Sequence, residues 1–219
     1  MPPRVNASTP ATPKRAYNSP RRQQLAKQSR LTVLARAREL FLGKGFGATT
    51  IAEIARAAGV SPESVYKNFG GKPGLVRAIQ EQSLLGTGSV PAQQRSDLAQ
   101  LTATDPLALM EQFGRLNSEV STLVTPIVIL IRDAAASGDA DMADLLQEVD
   151  DARYRRMLHN AQQIAARGLL RPELSAQEAA DLMFTCTAAE LYETLVLKRG
   201  WSADRYGTFI AKTLAANLL

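Results

Sequence analysis

From Gly59 to Leu75 the chain reads GVSPESVYKNFGGKPGL, and the spacing of its turn residues leaves room for one short helix and nothing longer. Gly59 tolerates the left-handed backbone that ends a preceding helix. Ser61 is a good N-cap, Pro62 suits the first helical position, and Glu63 favours the positive helix end. Val65 and Phe69 then point inward before Gly70 and Gly71 close the element. Pro73 opens the next helix, with Leu75, Val76 and Ile79 on its inner face. Local chemistry thus fixes a helix of about two turns in a chain otherwise suited to long ones.

Upstream, Val33, Leu34, Ala37, Leu40 and Phe41 recur at helical spacing from about Gln28 to Lys44, and Gly43 and Gly45 end that element. Thr50–Ile51–Ala52–Glu53 is a capping box that opens a helix burying Ile51, Ile54, Ala55 and Ala58. Two helices joined by a three-residue turn containing glycine make a helix-turn-helix. A short second helix fits across a DNA major groove, where only its outer face and N-terminal end need reach bases. The outward residues Pro62, Glu63, Ser64, Tyr66, Lys67 and Asn68 are mostly hydrogen-bonding types, although a purely structural helix could be equally polar.

Charge separates the two readings. Of 26 Lys and Arg and 21 Asp and Glu, residues 1–90 carry 14 and 4, a net of +10, which leaves residues 91–219 at −5. A basic N-terminal part joined to an acidic remainder points to a polyanion facing the first part only. Residues 1–24 are rich in Pro, Ser, Thr and Ala and carry Arg4, Lys14, Arg15, Arg21 and Arg22 with no acid. They are expected to be a disordered basic tail that either wraps a phosphate backbone or minor groove or serves as a solubilising leader. With 45% hydrophobic but only 5% aromatic residues, and with Ala and Leu abundant, the chain is expected to be all-α.

The run SRLTVLARARELFLGKGFGATTIAEIARAAGVSPESVYKNFGGKPGLVRAI, about fifty residues without a gap, resembles the DNA-binding domain of TetR-family transcriptional regulators. The likeness rests on Arg30, Leu40–Phe41, Gly45–Phe46, Thr50–Ile51, Ile54–Ala55, Ala58–Gly59–Val60–Ser61, Val65–Tyr66, Phe69, Lys72 and Leu75. RGLLRPELSAQEAADL and ELYETLVLKRGWSADRYGTFIAKTL are also similar to segments of family members. The resemblance implies an all-α homodimer in three parts: the tail (1–24), a helix-turn-helix domain (25–85) and a helical regulatory and dimerisation domain (92–219). It implies binding to double-stranded DNA at a palindromic operator, repression, and release by a small apolar effector. Carried onto this chain, Thr50 contacts phosphate, Ser61, Pro62, Glu63, Ser64, Lys67 and Asn68 lie at the groove, and Tyr66 and Lys72 reach the backbone. Asn68 stands where the family often has histidine. Glu63 stands where many members have a small or neutral residue; it either accepts from cytosine or serves the helix dipole, and the dipole reading is favoured.

Beyond the loop Gly86–Pro91, residues 92–137 read as two or three helices interrupted at Asp105–Pro106 and Thr125–Pro126. A long amphipathic helix is expected from Met142 to Arg167. The acids Asp139 to Asp151 suit its N-terminus and the following arginines better than a metal site. Ser175–Ala176–Gln177–Glu178 is a second capping box, expected to open one helix reaching about Lys198, and Ser202 caps the last helix. The first of these has apolar residues on more than one face and the last carries them in regular +3/+4 steps, which fits the dimer interface that the resemblance implies. Met110, Phe113, Ile127, Tyr154, His159, Met183, Phe184 and Tyr192 are candidate effector-lining residues, though each also fits an ordinary core.

The single histidine excludes a His pair or multi-histidine metal site, the single cysteine excludes an intrachain disulfide, and no cofactor is expected. With no span-length apolar run and no apolar leader region, the expected setting is the cytoplasm, with no membrane partner. The leading expectation is a ligand-responsive, sequence-specific regulator. One alternative is an architectural DNA binder that uses its tail with little sequence discrimination. Another is a helical enzyme, against which stands the absence of any nucleophile–base spacing.

Overall fold

Side-chain caps set six helix N-termini in the computed structural model, which describes residues 20–219. Helix α1 (Pro20–Lys44) leads to the reading unit α2 (Ile51–Ala58), α3 (Pro62–Phe69) and α4 (Lys72–Ser83). Then come α5 (Ala92–Thr102), α6 (Pro106–Ala136), α7 (Ala140–Ala166), α8 (Ala176–Cys186), α9 (Ala189–Tyr192), a π-helical turn (Glu193–Lys198) and α10 (Ala203–Leu218). The described residues contain no strand, so the fold is all-α.

Both capping boxes form. Thr50 Oγ1 accepts from the Glu53 amide at 3.2 Å while Glu53 accepts from the Thr50 amide at 3.0 Å, and Ser175 and Glu178 repeat the arrangement. Ser61 and Ser202 cap α3 and α10, and Asp105 and Asp139 cap α6 and α7. Gly59, at φ 67°, makes the left-handed turn between α2 and α3.

The core falls into two clusters. One joins Val33, Leu34 and Phe41 of α1, Ile54 of α2, Val65 of α3 and Leu75 of α4 to Ile127 and Ile131 of α6 and Met142 and Leu145 of α7. The reading unit therefore packs directly on the middle of the long helices. Arg38 adds polar ties between the same elements, donating to Leu123 O at 2.7 Å and to Ser83 Oγ at 3.1 Å. The second cluster joins the start of α6 and the end of α7 to α8 and α10 through Met110, Ile164, Met183, Tyr206, Ile210 and Leu214. Helices α6 and α10 cross at Gly114 and Gly207. A Cβ on Gly114 would stand 2.3 Å from Gly207 O, so the backbones meet where no side chain fits.

Three features depart from the sequence expectation. Helix α1 begins at Pro20, so Arg21 and Arg22 belong to a helix and not to the tail; Arg4, Lys14 and Arg15 lie outside the described residues. Helix α6 runs unbroken through Pro126. Proline removes one ladder donor, yet Thr125, Ile127 and Ile131 are buried on either side and hold the axis in place. The helix opened by Ser175 stops at Cys186 instead of reaching Lys198. There Thr187 Oγ1 bonds back to Met183 O at 3.0 Å, and Arg153 from α7 donates to Phe184 O at 2.5 Å. A side chain from another helix thus occupies a carbonyl at the helix end.

Candidate nucleic-acid interface and interior cavity

The short helix α3 buries Val65 and keeps Phe69 half-buried, which turns Ser61, Pro62, Glu63, Tyr66, Lys67 and Asn68 to solvent; Ser64 is half-buried. Tyr66 is 57% exposed, a large aromatic held outward with its hydroxyl making no hydrogen bond among the described residues. The Asn68 amide donates to Ser64 O at 2.7 Å, which leaves its oxygen as the outward group. Glu63 has its carboxyl lowered by its own backbone amide and by Ser61, as its place in the first turn of α3 requires. Arg30 of α1 lies over the Phe69 ring, 4.6 Å from its centre, and ties α3 to the frame.

At the flanks of α3 stand the N-termini of α2 and α4. Thr50 is exposed, but its hydroxyl is engaged in the capping box. Lys44 bonds Glu53 at 2.6 Å and is the largest cause of the Glu53 carboxyl falling to about 2. Lys72 donates to Phe46 O at 2.8 Å and sits 4.4 Å from the Phe46 ring centre, which fixes its ammonium beside the start of α4. Arg21 and Arg22 are exposed in the first turn of α1.

The other end of α4 borders a cavity of about 640 Å³, open to solvent on one side, between α4, α5, α6, α7 and the start of α9. Gln80 and Leu84 reach it from α4, and a smaller cavity of about 220 Å³ shares Ser96, Phe113, Leu116 and Asn160 with it. Of the lining residues expected from sequence, Phe113 and His159 border the larger space and Met110, Phe113 and Met183 the smaller. Ile127, Tyr154, Phe184 and Tyr192 line neither. Ile127 is fully buried against the reading unit. Tyr154 donates to Asp181 at 3.0 Å and meets Phe184 edge to face, while Phe184 lies under Arg153. Tyr192 packs on Tyr206 and donates to Thr122 Oγ1 at 3.1 Å.

The cavity's rim is polar, unlike the apolar lining expected from the sequence. Arg153 and Arg156 come from α7 and Arg132 from α6, and a buried pair lies at the smaller cavity, with Gln100 Nε2 donating to Asn160 Oδ1 at 2.8 Å. Burial lowers the Arg153 guanidinium, whereas Glu193 raises that of Arg132. The signal available in the sequence was the spacing of Arg153, Arg156 and Asn160 on one face of α7. In the sequence the same arginines serve equally as partners of the preceding acids.

An all-α chain with a solvent-facing helix-turn-helix, followed by a helix α4 that borders a cavity, has the construction of a DNA-binding transcriptional regulator. Residues 33–79 match the family model for bacterial regulatory proteins of the tetR family. Two relatives agree. The chain is 41% identical to the HTH-type transcriptional regulator YvkB of Bacillus subtilis over 66 residues, 30% of this chain and 35% of that protein. It is 24% identical to the HTH-type transcriptional repressor BepR of Brucella suis over 202 residues, 88% of this chain and 93% of that protein. Among solved structures, NalD of Pseudomonas aeruginosa, the secondary repressor of the MexAB-OprM multidrug efflux pump, superposes with a TM-score of 0.66. That match covers 90% of this chain and 98% of NalD at 21% identity, a likeness of fold. Residues 33–79 thus form a tetR-family DNA-binding domain, and the likeness along the rest of the chain supports a TetR-family transcriptional regulator.

Proposed function

We propose that this regulator is a ligand-responsive repressor that binds a palindromic operator as a homodimer and leaves it when a small molecule fills the cavity. The observation that carries this reading is the placement of α4. Its first residue, Lys72, stands beside the reading helix, and Gln80 and Leu84 at its far end border the cavity. A 12-residue helix spans ~18 Å, so a rigid α4 links the two sites without an intermediary. Arg38 and the ion pair of Arg77 with Glu148 tie α4 to α1, α6 and α7, and a shift at the cavity then moves the reading unit as a body.

In this reading Ser61, Pro62, Glu63, Ser64, Lys67 and Asn68 meet the major groove, while Thr50, Tyr66 and Lys72 address phosphates. Arg21 and Arg22, on the projecting start of α1, add phosphate contacts. The mate packs against α8 and α10, supported by the half-buried Leu182, Trp201 and Phe209 and by Leu197, 53% exposed beside them. Two-fold symmetry then calls for half-sites one helical turn, roughly 34–36 Å, or a multiple of it apart. We assign the chain no catalytic role.

The test is selection of genomic fragments by the purified protein at physiological salt, followed by footprinting. One palindrome protected symmetrically supports the reading. Enrichment with no shared motif refutes it in favour of architectural binding.

A further inference from the structure

The rim of the larger cavity holds one cation that no carboxylate among the described residues meets. Four guanidinium groups border it, Arg132, Arg153, Arg155 and Arg156, against the three carboxylates Asp97, Asp150 and Glu190. Three of the four are matched. Arg156 meets Asp97 at 2.7 Å, Arg153 meets Asp150 at 3.2 Å, and Arg132 lies 3.8 Å from Glu190 and 2.8 Å from Glu193. Arg155 has no carboxylate or other hydrogen-bond partner among the described residues and stands exposed at the rim. His159, also at the rim, lies 3.5 Å from Asp97, a carboxylate that Arg156 already holds.

Away from the rim the wall is apolar, with Leu116, Val120, Val124 and Val128 of α6 facing Leu146 and Val149 of α7. Asn117 also belongs to this wall, but its amide nitrogen is buried towards Tyr206, whose ionised form it favours, and does not open onto the space. An apolar interior with an unmatched cation at its mouth suits an elongated molecule that is greasy along its body and acidic at one end. A cationic amphiphile finds only carboxylates that arginines already hold, and a neutral one leaves Arg155 unanswered.

We propose that the effector of this regulator is an amphipathic organic anion, a carboxylate with an apolar body, whose acid group pairs with Arg155 while its body lies along α6. The proposal rests on the reading of this cavity as the effector site. It narrows the small apolar effector expected from sequence to one with a single negative charge.

Calorimetric titration of the full chain with decanoate, decanol and decylammonium tests it, because the three share a body and differ in the head. Decanoate is expected to bind most tightly. Arg155→Gln is expected to weaken decanoate about twofold to fivefold, the range for an exposed ion pair, with decanol unchanged. Arg155→Glu is expected to turn the preference towards decylammonium. Arg155 is exposed, so both variants keep the fold. Equal binding of the three probes, no effect of Arg155 substitutions, or failure of decanoate to bind overturns the proposal. Operator binding followed in the same samples separates the two readings. Decanol releasing DNA more effectively than decanoate keeps the effector site and overturns the anion preference. Arg155-dependent decanoate binding that leaves operator affinity unchanged upholds the anion site and overturns its role as effector site.

Discussion

Replacing Lys72 by alanine separates two roles that one ammonium combines. In the free protein Lys72 donates to Phe46 O at 2.8 Å and lies over the Phe46 ring at 4.4 Å, joining the start of α4 to the turn after α1. A charged hydrogen bond of this kind contributes about 1.5–3 kcal/mol when well shielded. The half-exposed setting of Lys72 reduces that, and the ring contact adds about 0.5 kcal/mol. A stability loss of about 1–2 kcal/mol is therefore expected, read as a lower urea midpoint with an unchanged slope. In the complex the same group addresses a phosphate. Each phosphate contact adds about 0.9 to the slope of log affinity against log salt, so removing one per protomer lowers a dimer's slope by about 1.8. Fluorescence anisotropy of operator and scrambled DNA over a salt series measures this. The loss should be similar for both sequences, because a phosphate carries no base information. An unchanged salt slope, or a loss confined to the operator, refutes the phosphate role. An unchanged urea midpoint refutes the tie to Phe46.

Tyr66→Phe removes one outward hydroxyl from an exposed ring, so operator affinity should fall with the melting temperature unchanged; equal affinity in a filter-binding assay would place the hydroxyl away from the backbone. Gly114→Ala forces a methyl to within 2.3 Å of Gly207 O, and overpacking there should cost about 1–3 kcal/mol in urea unfolding. Glu53 has its carboxyl depressed from 4.5 to about 2, chiefly by Lys44 and then by the Thr50 cap. A depressed carboxyl contributes stability that is present above its unfolded value and fades as pH falls from about 4.5 towards 2. Glu53→Gln should therefore flatten the acid limb of the stability profile in that window. A parallel limb in wild type and variant would show that the capping carboxylate carries none of it.

The reading unit was legible because its determinants are local. Thr50 with Glu53, Gly59, Ser61 with Pro62, and Gly70 with Gly71 each act within four residues, and the helices begin and end where those groups require. The same holds for Ser175, Ser202, Asp105 and Asp139 at the later N-termini. Outward residues of a two-turn helix follow from periodicity alone, and so Tyr66 and Lys67 could be placed before any tertiary contact was known.

What only the tertiary structure decided depends on groups far apart in sequence. Whether Pro126 breaks a helix depends on what holds its flanks, and here Thr125 and Ile127 are buried on both sides of it. Where α8 ends depends partly on Arg153, 31 residues before Phe184, the residue whose carbonyl it occupies. Eight residues on α6 to α9 read as possible lining, but packing sends Ile127, Tyr154, Phe184 and Tyr192 elsewhere and puts arginines at the rim. A cavity is the space that packed helices fail to fill, so its walls are set by how whole helices cross. The approach of α6 to α10 at Gly114 and Gly207 is one such crossing, and no periodicity in either helix specifies which partner it meets. Caps and turns belong to the sequence because their partners lie within one helical turn, while the cavity and its charge belong to the fold because theirs do not.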